Sequence, residues 1–167
     1  MKIAINPGHT KTGPGYGAVS GKYKESEITR LVAKELIRLL KNKGHTVYDC
    51  TVDKAVSQNA YLANSVSKSK DADLFLSLHC NMGGGQGIEA FTWKGRKLDK
   101  AIHLCYELSR LGFRNRGIKD GSKLYVVKKT KCPAILVEMF FLDSSTDRTL
   151  YDKLGYKNIA KAISEIF

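Results

Sequence analysis

Short apolar runs alternate with longer amphipathic stretches along the whole chain. Ile3-Ala4-Ile5 reads as a strand, and a helix over 25–43 follows, with Ile28, Leu31, Val32, Leu36, Leu39 and Leu40 recurring at helical spacing. Thr46-Val47-Tyr48 reads as a second strand and 56–69 as a weaker helix. The alternation then repeats: strands at Leu74–Leu78 and Ile88–Trp93, a helix over 97–111, strands at Leu124–Val127 and Ala134–Val137, and a closing helix near 149–166 carrying Leu150, Leu154, Ile159, Ile163 and Ile166. Strands that alternate with helical segments predict an α/β fold with a mostly parallel twisted sheet of about six strands, flanked by helices on both faces. No Pro- or Ser-rich linker or shift in composition interrupts the pattern, so residues 1–167 are expected to form one domain.

Open sheets of this kind place their chemistry where the carboxyl ends of parallel strands meet loops. Three polar residues stand just after apolar runs: His9 after Ile3-Ala4-Ile5 by way of Asn6-Pro7-Gly8, His79 at the close of Leu74–Leu78, and Glu138 at the close of Ala134–Val137. If these strands are parallel, two imidazoles and a carboxylate share one edge. The helix after the first strand offers Glu25, Glu27 and Glu35 as further acids. At roughly 100° per residue, Glu25 lies about 25° from the mean direction of the apolar stripe and Glu27 about 135° away, so Glu25 faces the body and Glu27 faces solvent. His, Glu and His form a usual ligand set for catalytic zinc, with a fourth position left open for water. Each piece also has a plainer reading: a strand-end His hydrogen-bonds locally, and an acid in the first turn complements the helix dipole.

The charge balance adds a partner class without naming it. The 167 residues are 43% hydrophobic and 26% charged, with 28 Lys and Arg against 16 Asp and Glu, a formal charge of +12. Such a surface attracts anions generally. The lysines are scattered and no nucleic-acid motif accompanies them, so no nucleic-acid partner is expected. No apolar run reaches the roughly 18 residues that span a bilayer, which argues against a membrane partner. The opening Met1-Lys2-Ile3-Ala4-Ile5 turns polar too early for a secretory leader, and synthesis in the cytosol is expected. Cys50, Cys80, Cys105 and Cys132 form no C-x-x-C pair and read as reduced, mostly buried thiols; Cys80, beside His79, points to the opposite face of its strand. The stretches Gly13–Gly17 and Gly83–Gly87 read as mobile loops, and neither matches a phosphate cradle.

Four motifs occur in order: Asn6-Pro7-Gly8-His9, Glu25 ahead of Gly44-His45, Ser77-Leu78-His79-Cys80-Asn81, and Pro133–Glu138. Ala63-Asn64, Gly87-Ile88-Glu89, Asn115-Arg116-Gly117 and Asp147 extend the match over nearly all of the chain. The sequence resembles the zinc-dependent N-acetylmuramoyl-L-alanine amidases of the amidase-3 type, including phage endolysins. The resemblance implies that His9, Glu25 and His79 hold one Zn2+ and that Glu138 is the catalytic carboxylate, taking a proton from the attacking water. The implied reaction cuts the amide between N-acetylmuramic acid and the first L-alanine of the peptidoglycan stem peptide.

The chain departs from the family in two places. Asn59 stands where the family often has arginine. Met139-Phe140-Phe141-Leu142-Asp143-Ser144 replaces the usual x-Gly-Phe followed by Asn, which predicts a bulkier site wall. Glu89 reads either as a second carboxylate in the cleft or as a solvent-facing residue of an edge strand. Arg114 and Arg116 read as grips for stem-peptide carboxylates or as solvated loop residues. His45 and His103 are read as non-ligands.

The resemblance and the charge together make bacterial peptidoglycan the expected substrate and anionic wall polymers a further expected partner, for a monomer that lyses cells from the wall after release from the cytosol. No separate wall-binding domain is expected within 1–167. Three rivals remain at this point, the third a basic nucleic-acid binder that salt-dependent DNA binding would reveal. A zinc carboxypeptidase uses the same ligand types, but its first His and Glu normally lie three residues apart, against sixteen here. A non-catalytic wall-binding module needs none of the four site residues.

Overall fold

A computed structural model describes all 167 residues. Six strands form the main sheet: β1 (Lys2–Pro7), β4 (Thr46–Asp49), β5 (Leu74–Asn81), β6 (Ile88–Thr92), β7 (Asn115–Asp120) and β8 (Ala134–Phe141). A small hairpin, β2 (Val19–Ser20) with β3 (Tyr23–Lys24), leads into the first helix. The sheet order is β4-β1-β5-β8-β6-β7, and every pairing is parallel except β6 against β8.

The central strands carry apolar residues at every position because both of their faces are covered. Ile3, Ile5, Leu74, Leu76, Leu78, Ile135 and Val137 enter one core, while Ala4, Phe75, Ala134 and Leu136 enter a second on the other side. The first is covered by α1 (Glu25–Asn42), α3 (Asp99–Arg110) and α5 (Ser145–Ser164), the second by α2 (Gln58–Ser67) and α4 (Tyr125–Lys129). The structure thus has the expected mostly parallel six-stranded sheet with helices on both faces.

Several elements differ from the sequence reading. The Leu124–Val127 run is not a strand; Tyr125–Lys129 is one and a half turns of helix that bury Val126 and Val127 against the sheet. The sixth strand is instead β7, whose Asn-Arg-Gly-Ile-Lys-Asp sequence has a single apolar side chain. Trp93 lies beyond β6 in a 3-10 turn, Trp93–Gly95. The last helix begins at Ser145, where the Ser144 hydroxyl accepts a hydrogen bond from the Asp147 amide, and it is broken at Gly155, whose φ of 70° and ψ of 165° no helix tolerates. No helix is long and apolar enough to cross a membrane.

Candidate metal centre

The three central strands β1, β5 and β8 end together, and their carboxyl ends bring the expected residues to one edge. β1 delivers His9 two residues past its last position, His79 is the sixth residue of β5, and Glu138 pairs with His79 across the β5–β8 ladder. Glu25 arrives from the first turn of α1, nearly fully buried, whereas Glu27 is exposed and pairs with Lys24. The helical geometry read from the apolar stripe is thereby met.

Glu25 is held by the main chain. Its Oε2 accepts from the Ala18 amide at 2.9 Å, its Oε1 accepts from the Cys80 amide at 3.0 Å, and its own amide donates to the Ala18 carbonyl at 3.0 Å. Oε1 lies 3.1 Å from His9 Nε2 and 3.1 Å from His79 Nδ1. The other ring nitrogens are committed outward. His9 Nδ1 donates to the Gly15 carbonyl at 2.9 Å. The Ser77 hydroxyl donates to Asn6 Oδ1 at 2.8 Å, so its oxygen accepts from His79 Nε2 at 3.1 Å. These partners fix both tautomers and leave the inner nitrogens with lone pairs turned toward Glu25.

A lone pair from each imidazole therefore meets a carboxylate oxygen, and the three ligand atoms lie within 4.8 Å of one another. Such a group is stable only around a proton or a cation. Tetrahedral zinc with bonds near 2.1 Å separates its ligands by roughly 3.4 Å, close to the two 3.1 Å spacings, so the donor set fits the ion. Without metal, burial works against the His9 charge, but the hydrogen bond and charge of Glu25 outweigh it and raise the His9 pKa. His79 is lowered, chiefly by burial. Glu25 is resisted by burial, yet both imidazoles hold it well below the ordinary carboxylate range.

The shell around these three side chains leaves little slack. His9 has a φ of 70°, a left-handed conformation uncommon outside glycine, and Arg30 braces it by donating to its carbonyl at 3.0 Å while also bonding Asp53, Ser26 and Val52. A Cβ on Gly8 would stand 2.4 Å from the His79 ring, and one on Gly17 would stand 2.7 Å from the His9 ring. Both imidazoles rest against bare backbone.

Glu138 stands beside this cluster without a partner: its Oε2 is buried and unbonded. Burial is the main cause that raises its pKa to about 8, with the negative charges of Glu25 and Glu89 adding to it. Glu89 is not solvent-facing. It is 7% exposed and sits opposite Glu138 across the antiparallel β6–β8 pairing, because β7 covers the edge that β6 was expected to be. Arg116 donates through Nε to Glu89 Oε1 at 2.7 Å, and Asn81 donates to Glu89 Oε2 at 3.2 Å.

The bulk after Glu138 builds the interior instead of the site wall. Met139, Phe140 and Leu142 are fully buried in the first core, with Phe140 stacked between Phe113 and Tyr151, while Phe141, also buried, lies under the Arg116 guanidinium. Two acids outside the expected set hold the glycine loop. Asp143 Oδ2 accepts from the Gly83 and Gly84 amides, and Asp147 Oδ2 accepts from the Gly87 and Phe141 amides at 2.8 and 2.9 Å. Cys80 is buried and its thiol pKa is raised by that burial, which makes it inert. His45 and His103 lie outside the cluster of His9, Glu25 and His79.

The profile of the Amidase_3 family, described as N-acetylmuramoyl-L-alanine amidase, matches residues 3–166. The N-acetylmuramoyl-L-alanine amidase CwlM of Bacillus licheniformis is 34% identical over 156 residues, covering 88% of this chain and 59% of that protein. An uncharacterized protein of Clostridium perfringens, CPE1502, is 34% identical over 174 residues, covering 99% of this chain and 51% of its own length. The chain thus spans about half to three-fifths of these curated relatives. Among solved structures, the catalytic domain of the CD27L endolysin targeting Clostridia difficile superposes with a TM-score of 0.87 at 31% identity, over 99% of this chain and 96% of that one.

Proposed function

The chain belongs to the N-acetylmuramoyl-L-alanine amidase family, and from that membership we propose that it hydrolyses the bond between N-acetylmuramic acid and L-alanine in bacterial peptidoglycan, with His9, Glu25 and His79 holding one Zn2+ and Glu138 as the catalytic carboxylate. The observation that carries this reading is the convergence of three metal-competent donor atoms next to a buried carboxyl oxygen that has no protein partner.

Bound zinc supplies Lewis acidity toward the scissile carbonyl and a water made more acidic than bulk water. The chain's own residues do the rest. Glu138 Oε2 lacks any competing donor, so it is free to accept the proton of the attacking water and to return it to the departing amine of alanine. The amides of Ala18 and Cys80 keep Glu25 charged and immobile, and Gly15 and Ser77 keep each imidazole in the tautomer that offers its inner nitrogen.

Residues 1–167 are in this reading the catalytic domain of an enzyme that acts at the wall as a monomer and lyses bacterial cells, with anionic wall polymers drawn to its charge of +12. Incubation with purified peptidoglycan, with and without a chelator, tests the reaction. Chelator-sensitive release of alanine amino termini, without new reducing sugar ends, is the expected result. New amino termini other than alanine would identify a peptidase, and no release after zinc addition would leave a binding module.

A further inference from the structure

Arg116 occupies a position that the hydrolytic chemistry does not use. It lies on β7, where two residues, Arg116 and Gly117, oppose the single residue Glu89 of β6; pairing runs Ile88 with Asn115 and then Ala90 with Ile118. Gly117 takes a φ of 76° to accommodate the extra residue. Bulges of this kind re-aim a side chain, and here the guanidinium meets the Glu89 carboxylate at 2.7 Å. Its plane lies over the Phe141 ring, 5.2 Å from the centroid. Glu89 is itself nearly buried and fixed on its other oxygen by Asn81.

This setting spends only one of the guanidinium nitrogens. Nε is engaged, while the two terminal amino groups of Arg116 make no hydrogen bond in the protein, and the side chain is 32% exposed. Two other arginines near the site differ: Arg30 commits all three of its nitrogens to protein acceptors, and Arg148 commits Nη1 to Ser20 and the Leu142 carbonyl. A rigid guanidinium with a free terminal fork, backed by an aromatic face and a buried counter-charge, is suited to binding a carboxylate in two-point fashion.

We propose that Arg116 forms a subsite for a free carboxylate on the peptide of the substrate. The proposal rests on the amidase reading above. Glu138, Glu89 and Arg116 stand on the neighbouring strands β8, β6 and β7, so two strand spacings, about 10 Å, separate Glu138 from Arg116. An extended peptide rises about 3.3 Å per residue. With the scissile amide at Glu138, the residues within reach of Arg116 are the second and third of the stem. The Arg116 side chain turns back to Glu89 on the strand nearer Glu138, so the nearer of the two, the residue that follows the first alanine, carries the carboxylate, left free and not converted to its amide. Glu89 neutralises part of the Arg116 charge and sets its orientation, which makes Glu89 a positioning residue.

The test compares two soluble muramoyl peptides that differ only at that group, carboxylate against carboxamide, with the zinc-loaded chain and its Arg116→Gln variant. The wild type is expected to favour the carboxylate by at least tenfold in kcat/KM, mostly through KM, and the variant to bring the ratio near one. A double variant, Glu89→Gln with Arg116→Gln, replaces the ion pair by a neutral one and serves if the single change leaves Glu89 too costly to bury. A ratio near one in the wild type overturns the subsite without the variants, and an unchanged ratio in a folded variant overturns it as well. Failure of the wild type to cut either peptide, or to release alanine from peptidoglycan, overturns the amidase reading and the subsite together.

Discussion

At the scale of single residues, the site depends on carboxylates treated in opposite ways. Glu25 is charged because two amides and two imidazoles reward its charge, whereas Glu138 resists ionisation because burial dominates and its neighbours Glu25 and Glu89 are of like sign. Glu138→Gln is expected to lower turnover by at least a thousandfold while leaving zinc content near one per chain; loss of metal in that variant would make Glu138 a ligand. The same substitution has a second signature in metal-free protein. A carboxyl raised from 4.5 to about 8 favours the fold while protonated, so its contribution is complete below pH 4.5 and is lost as pH rises to 8. Unfolding of the wild type and of Glu138→Gln should therefore coincide near pH 4 and diverge above it, the variant becoming more stable by at most about 3 kcal/mol at pH 7. Glycine matters as much as the donor side chains: Gly8→Ala places a methyl 2.4 Å from the His79 ring, and zinc affinity measured against a competing chelator should fall at least tenfold with the far-UV spectrum unchanged. His9, His79 and Glu138 were legible because each follows an apolar run, and Glu25 because the apolar stripe of its helix gave its direction. The burial of Glu89 was not legible, because it depends on a strand outside its own segment.

At the scale of elements, the strand that covers Glu89 explains what the sequence concealed. β7 contributes one apolar side chain, Ile118, so its pairing comes from backbone hydrogen bonds at the sheet edge and leaves no alternation to detect. Tyr125–Lys129 erred in the other direction: a five-residue segment with Val126 and Val127 has the same apolar signature as strand or helix, and β-branched residues favoured the wrong one. The central strands were legible since burial on both faces demands unbroken apolar runs. Where elements are joined, the glycine loop shows how much one side chain can hold. Asp147, 1% exposed in the first turn of α5, accepts from the amides of Gly87 and Phe141 and so ties the loop before β6 to the end of β8. Asp147→Ala leaves two buried N–H groups without partners, at a cost of about 3 kcal/mol. The melting temperature should drop by about 10 °C, and kcat/KM should fall with it because the loop borders Glu89 and Phe141; a melting temperature within a degree or two of wild type would show that water replaces the carboxylate.

At the scale of the whole molecule, the fold separates chemistry from attraction. The edge that carries the candidate site is built from groups whose charges largely answer one another, with Glu25 beside two imidazoles and Glu89 beside Arg116, while the charge of +12 is spread over scattered lysines. Most of these lysines have no carboxylate within ion-pair distance, as only Lys2, Lys22 and Lys24 are paired among them. Their field reaches about 10 Å at 0.1 M salt and about 3 Å at 1 M. Attraction to an anionic wall should therefore fade with salt, whereas cleavage inside the site, where the partners are buried and in contact, should not. Lysis of intact cells or whole walls is expected to drop at least tenfold between 0.05 and 0.5 M NaCl, while hydrolysis of an uncharged, soluble muramoyl peptide changes by less than twofold, a contrast read from turbidity and from released alanine on the same enzyme preparation. Equal losses on both substrates would place the salt sensitivity in the site itself and leave the surface charge with no part in finding the wall.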